Sequence, residues 1–300
     1  MNVPENNIPF RKRMEFEYGV AKQVTPLVRR LVARNPSSFT FHGTNTYIVG
    51  HGNVAVIDPG PLLNEHLNAL IKTLEGETVQ RILVTHTHMD HSPGVTPLKE
   101  KLGGRVHGAI LREIPKGVKT AESIEYSFSP DEILVNGSLI KGDDWTIEAL
   151  HTPGHMSNHM CFALLEENIL FTGDHIMSWN TTIVSPPDGN MGEYFSSLER
   201  CLLRSENSYW PAHGPSIPDP KPFTRAYRNH RRMREGEILK CVDNGYYTID
   251  EIVGLLYKHL PEKMHNAAAR SVLAHLEYLL EKGQITIDKT NVENPQYRIN

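Results

Sequence analysis

The segment HTHMDH at residues 86–91 constrains this chain of 300 residues more than any other feature of its sequence. It follows the run RILVT at 81–85, which predicts a buried strand, and it holds four potential metal ligands within six residues. His86 and His88 are two residues apart, so in an extended segment their side chains leave on the same face. Imidazole and carboxylate groups are the ligands that zinc takes where no thiolate is present. We therefore interpret the segment as a metal site rather than as an ordinary polar loop.

Three later segments repeat one pattern, in which a strand-like apolar run leads into a turn with a ligand-type residue. They are HTPGH at residues 151–155, FTGDH at 171–175 and WPAHG at 210–214. Ligands at strand ends are expected, because a rigid sheet sets the geometry of a site and the loops supply its functional groups. The three cysteines form no CxxC pair, so we expect buried reduced thiols and neither a thiolate metal site nor a disulfide framework.

Hydrophobic periodicity predicts a mixed α/β arrangement in the first part of the chain. Strands at 46–50 and 54–57 are expected to form a hairpin with one buried face. A helix is expected at 64–75, with Asn64 as its N-cap. The proline-rich segment at 215–222 indicates a connection between domains.

The chain beyond this segment predicts a second, smaller domain at residues 223–300, which leaves 1–222 for the first domain. The predicted elements are helices at 223–244, 248–259 and 266–282 and short strands at 284–287 and 296–299. Three helices followed by a small hairpin are the outline of a winged helix.

Taken together, the motifs resemble the metallo-beta-lactamase superfamily over roughly residues 40–215, and all of its sequence motifs have a counterpart here. The resemblance implies an αββα sandwich, with two mixed sheets packed face to face and helices outside, followed here by the small winged-helix-like domain. The ligands it implies are His86, His88 and His155 for a first metal, Asp90, His91 and His213 for a second, and Asp174 between the two.

Three further residues are expected to support the ligands or to face the substrate. Asp58 belongs to the first motif of the superfamily and is expected to support a ligand by a hydrogen bond. His159 lies in the PGHxxxH pattern of the superfamily, and His175 directly follows Asp174. For His159 the alternative is a buried, hydrogen-bonded ring, and for His175 it is a packing role.

The implied cofactors are two zinc ions, with iron and manganese as alternatives. Two ions that share a water lower its pKa and stabilise negative charge on the substrate, which favours hydrolysis of a carbonyl or phosphorus centre. Asp90 and Asp174 are then the expected catalytic residues, and Asp90 is expected to receive a proton during turnover. The sequence contains no GxSxG segment, the motif that would indicate a serine nucleophile.

Within the superfamily the chain most resembles the beta-lactamase-like protein 2 group, through residues 43–50, 164–174 and 227–239. That group includes metal-dependent endoribonucleases, so the resemblance implies single-stranded RNA as a substrate and a phosphodiesterase or nuclease activity. Residues 175–190 depart from the group, in a loop that is expected to wall the substrate cleft.

Two other activities stay open at this point. One is hydrolysis of a small molecule that contains a thioester, lactone or beta-lactam, and a pocket walled by Trp179, Ile183 and Tyr194 would favour it. The other is a redox or sulfur-handling enzyme, which ranks last because the chain has no reactive cysteine motif.

The evidence for RNA in the residues themselves depends on an arginine cluster at positions 225–234, in the first helix of the second domain. The arginines either contact phosphates or pair with acidic neighbours such as Glu235 and Glu237. The net charge of −4 does not favour binding of nucleic acid by the chain as a whole. We expect a cytoplasmic protein with no membrane partner, because the sequence has no secretory signal or membrane-length apolar run, and a homodimer is compatible with the architecture.

Overall fold

The computed structural model describes residues 8–114, 120, 123–288, 290–291 and 295–300. Residues 1–7, on which the expected absence of a secretory signal partly rests, lie outside the described residues. Within the described part of the chain, no helix is long and apolar enough to cross a membrane. The described residues form two large sheets, a two-stranded sheet and six α-helices.

The first sheet has seven strands that lie side by side in chain order. They are β1 (Lys22–Thr25), β2 (Val28–Val32), β3 (Asn45–Val49), β4 (Asn53–Ile57), β5 (Thr78–Leu83), β6 (Arg105–Gly108) and β7 (Glu132–Ile133). Strands β1 to β4 pair antiparallel and β4 to β7 pair in parallel. The parallel pairs need crossovers, and α1 (Asn64–Thr73) and α2 (Val95–Leu102) supply two of them.

The second sheet has five strands in the order β12-β11-β10-β9-β8. They are β8 (Leu139–Lys141), β9 (Thr146–His151), β10 (Met160–Leu164), β11 (Ile169–Gly173) and β12 (Ser208–Pro211). Strands β8 to β11 pair antiparallel, and β11 pairs with β12 in parallel through the crossover helix α3 (Met191–Leu203).

Strand β10 shows how the two sheets and the helices share their cores. Met160, Phe162 and Leu164 lie in the apolar core between the sheets. Cys161 and Ala163 alternate with them and pack on the opposite face, against the helices. The predicted αββα sandwich is therefore confirmed, and all three cysteines are buried, as expected.

Two local predictions in the first domain are wrong. The hairpin of β3 and β4 is buried on both faces, because the second sheet covers one face and α1 and α2 cover the other. Asn64 is the first residue of α1 and not its N-cap; the capping position is Leu63, which has an extended backbone and supplies no side-chain bond.

The second domain is a winged helix, as predicted. Its elements are α4 (Pro220–Asp243), α5 (Ile249–Leu256), α6 (His265–Glu281), β13 (Ile285–Asp288) and β14 (Gln296–Ile299). Helix α4 begins inside the proline-rich segment, where a proline in the first turn costs no intrahelical hydrogen bond. Phe223 and Tyr227 of α4 pack into the core that covers the second sheet, so α4 joins the two domains, and the boundary at residue 222 stays a prediction.

Candidate metal centre

The segment 86–91 follows β5, and the other three ligand segments follow β9, β11 and β12. The structure brings all seven predicted ligands together into three overlapping groups whose ligand atoms lie within 4.8 Å of one another. The groups are His86, His88 and His155; Asp90, His91 and His213; and His86, His91 and Asp174. The first two have the composition that the sequence predicted for the two metals.

The first group is a set of three imidazoles with their nitrogen atoms close together. The Nδ1 atom of His88 lies 3.0 Å from Nε2 of His86 and 3.1 Å from Nε2 of His155. In the second group, Oδ2 of Asp90 lies 3.3 Å from Nε2 of His91 and 3.3 Å from Nε2 of His213. Each group thus presents several lone pairs to one point.

Asp174 lies between the two groups and reaches both. Its Oδ1 atom is 3.3 Å from Nε2 of His213, and its Oδ2 atom is 3.8 Å from Nε2 of both His91 and His155. This placement fits a carboxylate shared by two cations.

Asp58 holds one side of the cluster through three hydrogen bonds. It accepts from the backbone N–H of Thr85 at 2.8 Å and from the Thr85 hydroxyl at 2.7 Å. It also accepts from Nδ1 of His91 at 2.9 Å. The Thr85 hydroxyl gives its one proton to Asp58, so at 2.9 Å from Nδ1 of His86 it acts as an acceptor.

Backbone carbonyls hold two further rings in the same way. Nδ1 of His155 donates to the Ile183 carbonyl at 2.6 Å, and Nδ1 of His213 donates to the Gly43 carbonyl at 3.2 Å. In these two histidines, as in His86 and His91, Nδ1 carries a proton, so that each ring in its neutral form directs the Nε2 lone pair at the cluster.

The two remaining predicted histidines differ in their surroundings. His159 accepts from the backbone N–H of Asp174 at 3.1 Å through Nε2 and bonds the Thr152 hydroxyl at 2.9 Å through Nδ1, so both of its nitrogens position the cluster. His175 is fully buried against the Tyr194 ring and is not part of the cavity lining, which favours its packing alternative.

The cluster has the donor chemistry of a cation site. Nε2 of His91 and Oδ1 of Asp174 are buried and make no hydrogen bond, a costly arrangement unless a cation occupies the space between them. Burial alone would lower the pKa of His213, but Asp174 and Asp90 outweigh it and raise that pKa to about 10. Burial alone would raise the pKa of Asp174. The charges of His213 and His91 outweigh the effect of burial and hold the pKa of Asp174 below its usual range. Metal binding would displace the proton from His213 and leave the carboxylates ionised, as ligands must be.

A cavity of about 510 Å³ lies over the cluster and is lined by five of the seven predicted ligands. Its apolar lining residues are Phe39, Pro61, Met89, Met177, Trp179 and Ile183. Two of the three expected wall residues, Trp179 and Ile183, are thus in place. The third is not, because Tyr194 is buried beneath the loop and donates its hydroxyl to the His175 carbonyl at 2.7 Å.

Among the polar residues that sequence reasoning missed, one contacts the cluster and another lines the cavity. The Thr44 hydroxyl donates to Oδ2 of Asp90 at 3.1 Å, and the segment GTNT that contains Thr44 was the available signal. Arg270 lines the cavity from α6, and nothing in the sequence links that helix to the ligand segments.

The arginines of α4 are mostly engaged within the protein. Arg228 pairs with Glu199 at 3.1 Å, Arg232 with Glu235 at 3.3 Å and Arg234 with Glu237 at 2.9 Å. Arg231 is buried and donates to the Thr182 carbonyl. These pairings favour the alternative in which the cluster neutralises acidic neighbours over the one in which it contacts phosphates.

Comparisons with known proteins agree with this geometry. Residues 39–212 match the model of the metallo-beta-lactamase superfamily, and residues 248–290 match the beta-lactamase associated winged helix domain. The chain is 32% identical to an atrochrysone carboxyl ACP thioesterase of Aspergillus chevalieri, over 82% of this chain and 78% of the relative. It is 31% identical to a beta-lactamase-like protein 2 homolog of Drosophila melanogaster, over 89% of this chain and 92% of the relative.

Among solved structures, a beta-lactamase domain protein from Burkholderia ambifaria matches with a TM-score of 0.78 at 19% identity and covers 94% of each chain, a likeness that shows the fold. The sandwich, the histidine and aspartate cluster and the matches to family and relatives lead to one conclusion. This chain is a hydrolase of the metallo-beta-lactamase superfamily that carries a beta-lactamase associated winged helix domain.

Proposed function

We propose that the protein is a dinuclear zinc hydrolase that cleaves an acyl thioester. The observation that carries the proposal is the apolar wall beside the metal cluster, formed by residues such as Phe39, Met177, Trp179 and Ile183. A wall of this kind binds an acyl chain, whereas a polynucleotide needs several cationic groups along its backbone. A relative named as a carboxyl ACP thioesterase supports the same choice.

In this proposal His86, His88 and His155 would hold one cation, Asp90, His91 and His213 would hold the other, and Asp174 would be shared between them. When bound, the two cations polarise the thioester carbonyl and activate the attacking water. The protein residues orient this chemistry. Asp58, Thr85 and the carbonyls of Ile183 and Gly43 fix the rings of the ligands.

Asp90 is the proposed proton carrier. Its Oδ2 atom faces the cluster and receives the Thr44 hydroxyl hydrogen bond, which holds the carboxylate in place. Hydrolysis adds water to the carbonyl carbon and breaks the carbon–sulfur bond. The acid is released, and the thiol leaves with the proton that Asp90 took from the water.

A substrate panel tests the proposal directly. The panel contains a pentanoyl thioester, a lactone, nitrocefin, bis-p-nitrophenyl phosphate and a single-stranded RNA, each assayed with protein of measured zinc, iron and manganese content. We expect zinc near two equivalents and the highest kcat/KM on the thioester. Faster cleavage of the phosphodiesters than of the thioester would refute the substrate assignment and leave the hydrolase fold untouched.

The second candidate, a phosphodiesterase that acts on single-stranded RNA, has support from the polar part of the cavity. Arg270 and three serines, Ser37, Ser38 and Ser123, line it, and such groups bind phosphate. The resemblance of residues 43–50, 164–174 and 227–239 to the beta-lactamase-like protein 2 group, which includes endoribonucleases, also keeps this candidate in the panel.

Substitution of Asp174 tests the shared-ligand role. We expect Asp174→Ala to lower kcat on the best substrate by several orders of magnitude, because both cations lose a ligand. Asp144→Asn, at an exposed position, is the matched control and should keep normal turnover. Near-normal kcat in Asp174→Ala would contradict the role.

A further inference from the structure

The cavity over the metal cluster contains one lysine or arginine among its described lining residues, and that residue is Arg270. Arg270 lies on α6 of the winged helix, whereas all seven residues of the metal cluster lie in the sandwich. The second domain therefore contributes a charged group to the space in which the substrate binds.

Arg270 is partly buried, and its Nε atom is shielded from solvent without a hydrogen-bond partner. No ion pair of its guanidinium is found within the described residues. Arg228, Arg232 and Arg234, in the same domain, each pair with a glutamate. A planar guanidinium that faces a cavity without a counter-ion has the geometry to bind a carboxylate or phosphate through two hydrogen bonds.

The carboxylates of the cavity are already engaged. Among its described lining residues the acidic ones are Asp90 and Asp174, and both lie against His213 in the metal cluster. A bound cation would engage them further. Among the described lining residues, no carboxylate is thus left to neutralise the positive charge of Arg270.

The helix that carries Arg270 is fixed to the sandwich. The Tyr278 ring of α6 packs against the Phe195 ring of α3 with centroids 5.4 Å apart, and Asn190 donates to Glu281 at 3.3 Å. Ala274, one turn beyond Arg270, lies in the core beneath α3. A charged group on an element held in this way is positioned before the substrate arrives.

We propose that Arg270 binds an anionic group of the substrate while the scissile carbonyl lies at the metal cluster, and the inference rests on the proposed thioester hydrolysis. The anion is either a carboxylate on the acyl part or a phosphate on the thiol part, and the apolar wall binds the uncharged portion. Arg270 is therefore a specificity-determining residue supplied by the winged helix.

Matched substrates test this role and separate the two sources of the anion. The first pair is the glutaryl and pentanoyl thioesters of N-acetylcysteamine, which differ by a carboxylate on the acyl part. The second pair is the pentanoyl thioesters of 4′-phosphopantetheine and pantetheine, which differ by a phosphate on the thiol part. Arg270→Met should lower kcat/KM by about 10- to 100-fold, mainly through KM, for the anionic member of one pair.

The neutral member of each pair should change by less than about 3-fold in the same variant, and Arg270→Lys should recover part of the loss. The pair that responds identifies the source of the anion. Arg228→Met is the control, since it removes an arginine that pairs with Glu199 outside the cavity. Equal losses on anionic and neutral thioesters would overturn the proposal.

Binding to the protein stripped of metal by a chelator separates this inference from the proposed function. Calorimetry with glutarate and with 4′-phosphopantetheine should show binding of one of them to the wild type and its loss in Arg270→Met. Such binding in a protein that hydrolyses no thioester would refute the function but keep the anion site. Thioester hydrolysis with no effect of Arg270 on either readout would refute the anion site alone.

Discussion

Asp58 shows how much of the histidine and aspartate cluster depends on a residue that is not itself a predicted ligand. It is nearly fully buried, and its backbone adopts φ 49°, a left-handed conformation that aspartate tolerates better than most residues. From this position its carboxylate joins Thr85 to His91 and sets the ring orientation of both His86 and His91. Its negative charge also makes the His91 ring a stronger ligand.

We expect Asp58→Asn to weaken metal binding at the His91 side by about 10- to 100-fold, because the amide removes the charge and places a donor where an acceptor is needed. Competition with a chromophoric chelator measures the effect. Asp144→Asn serves as the control at an exposed aspartate. Unchanged affinity in Asp58→Asn would show that Asp58 has no part in tuning the site.

At the scale of elements, the turn between β9 and β10 depends on close backbone contact with α3. Gly154 has φ 134°, and a Cβ at this position would lie 2.4 Å from Cα of Tyr194. The backbone of Tyr194 is held within α3, so the contact cannot relax without moving His155, the next residue. A glycine is therefore required for structure and for the site at once.

Gly154→Ala should lower the free energy of unfolding by about 2 kcal/mol or more, from steric overlap and backbone strain together. Gly236→Ala is the matched control, since Gly236 lies within α4 with open space around it. That control should instead stabilise the protein by about 0.5–1 kcal/mol through helix propensity. Denaturant unfolding measures both, and equal behaviour of the two variants would contradict the packing argument.

Helix α4 connects the winged helix to the sandwich. Tyr227 donates to the Met177 carbonyl at 2.6 Å and contacts the Asn180 carbonyl, so α4 also holds the loop that walls the cavity. Phe223 is 2% exposed and belongs to the core of the second sheet. The two domains are thus expected to unfold together.

Phe223→Ala should lower the free energy of unfolding by about 3–5 kcal/mol, because it leaves a cavity in a core shared by both domains. Leu203→Ala, at a position that is 87% exposed, should change it by less than about 0.5 kcal/mol. Circular dichroism and tryptophan fluorescence should report one coincident transition. Two separate transitions in the wild type would show that the domains unfold independently.

A homodimer and a cytoplasmic location stay predictions.

The sequence and its family resemblance predicted the seven side chains that form the cluster and the two fold types, because motif segments at strand ends and apolar periodicity are local properties of the chain. The prediction of one buried face for the hairpin of β3 and β4 was wrong, because the burial of its second face depends on elements that are distant in the sequence. The pairing of Glu199 with Arg228 and the position of Arg270 at the cavity of the sandwich depend on tertiary packing and could not be read from the sequence. Periodicity reports that a helix face is buried, but the packing of α6 on α3 decides which side chain of that helix meets the substrate.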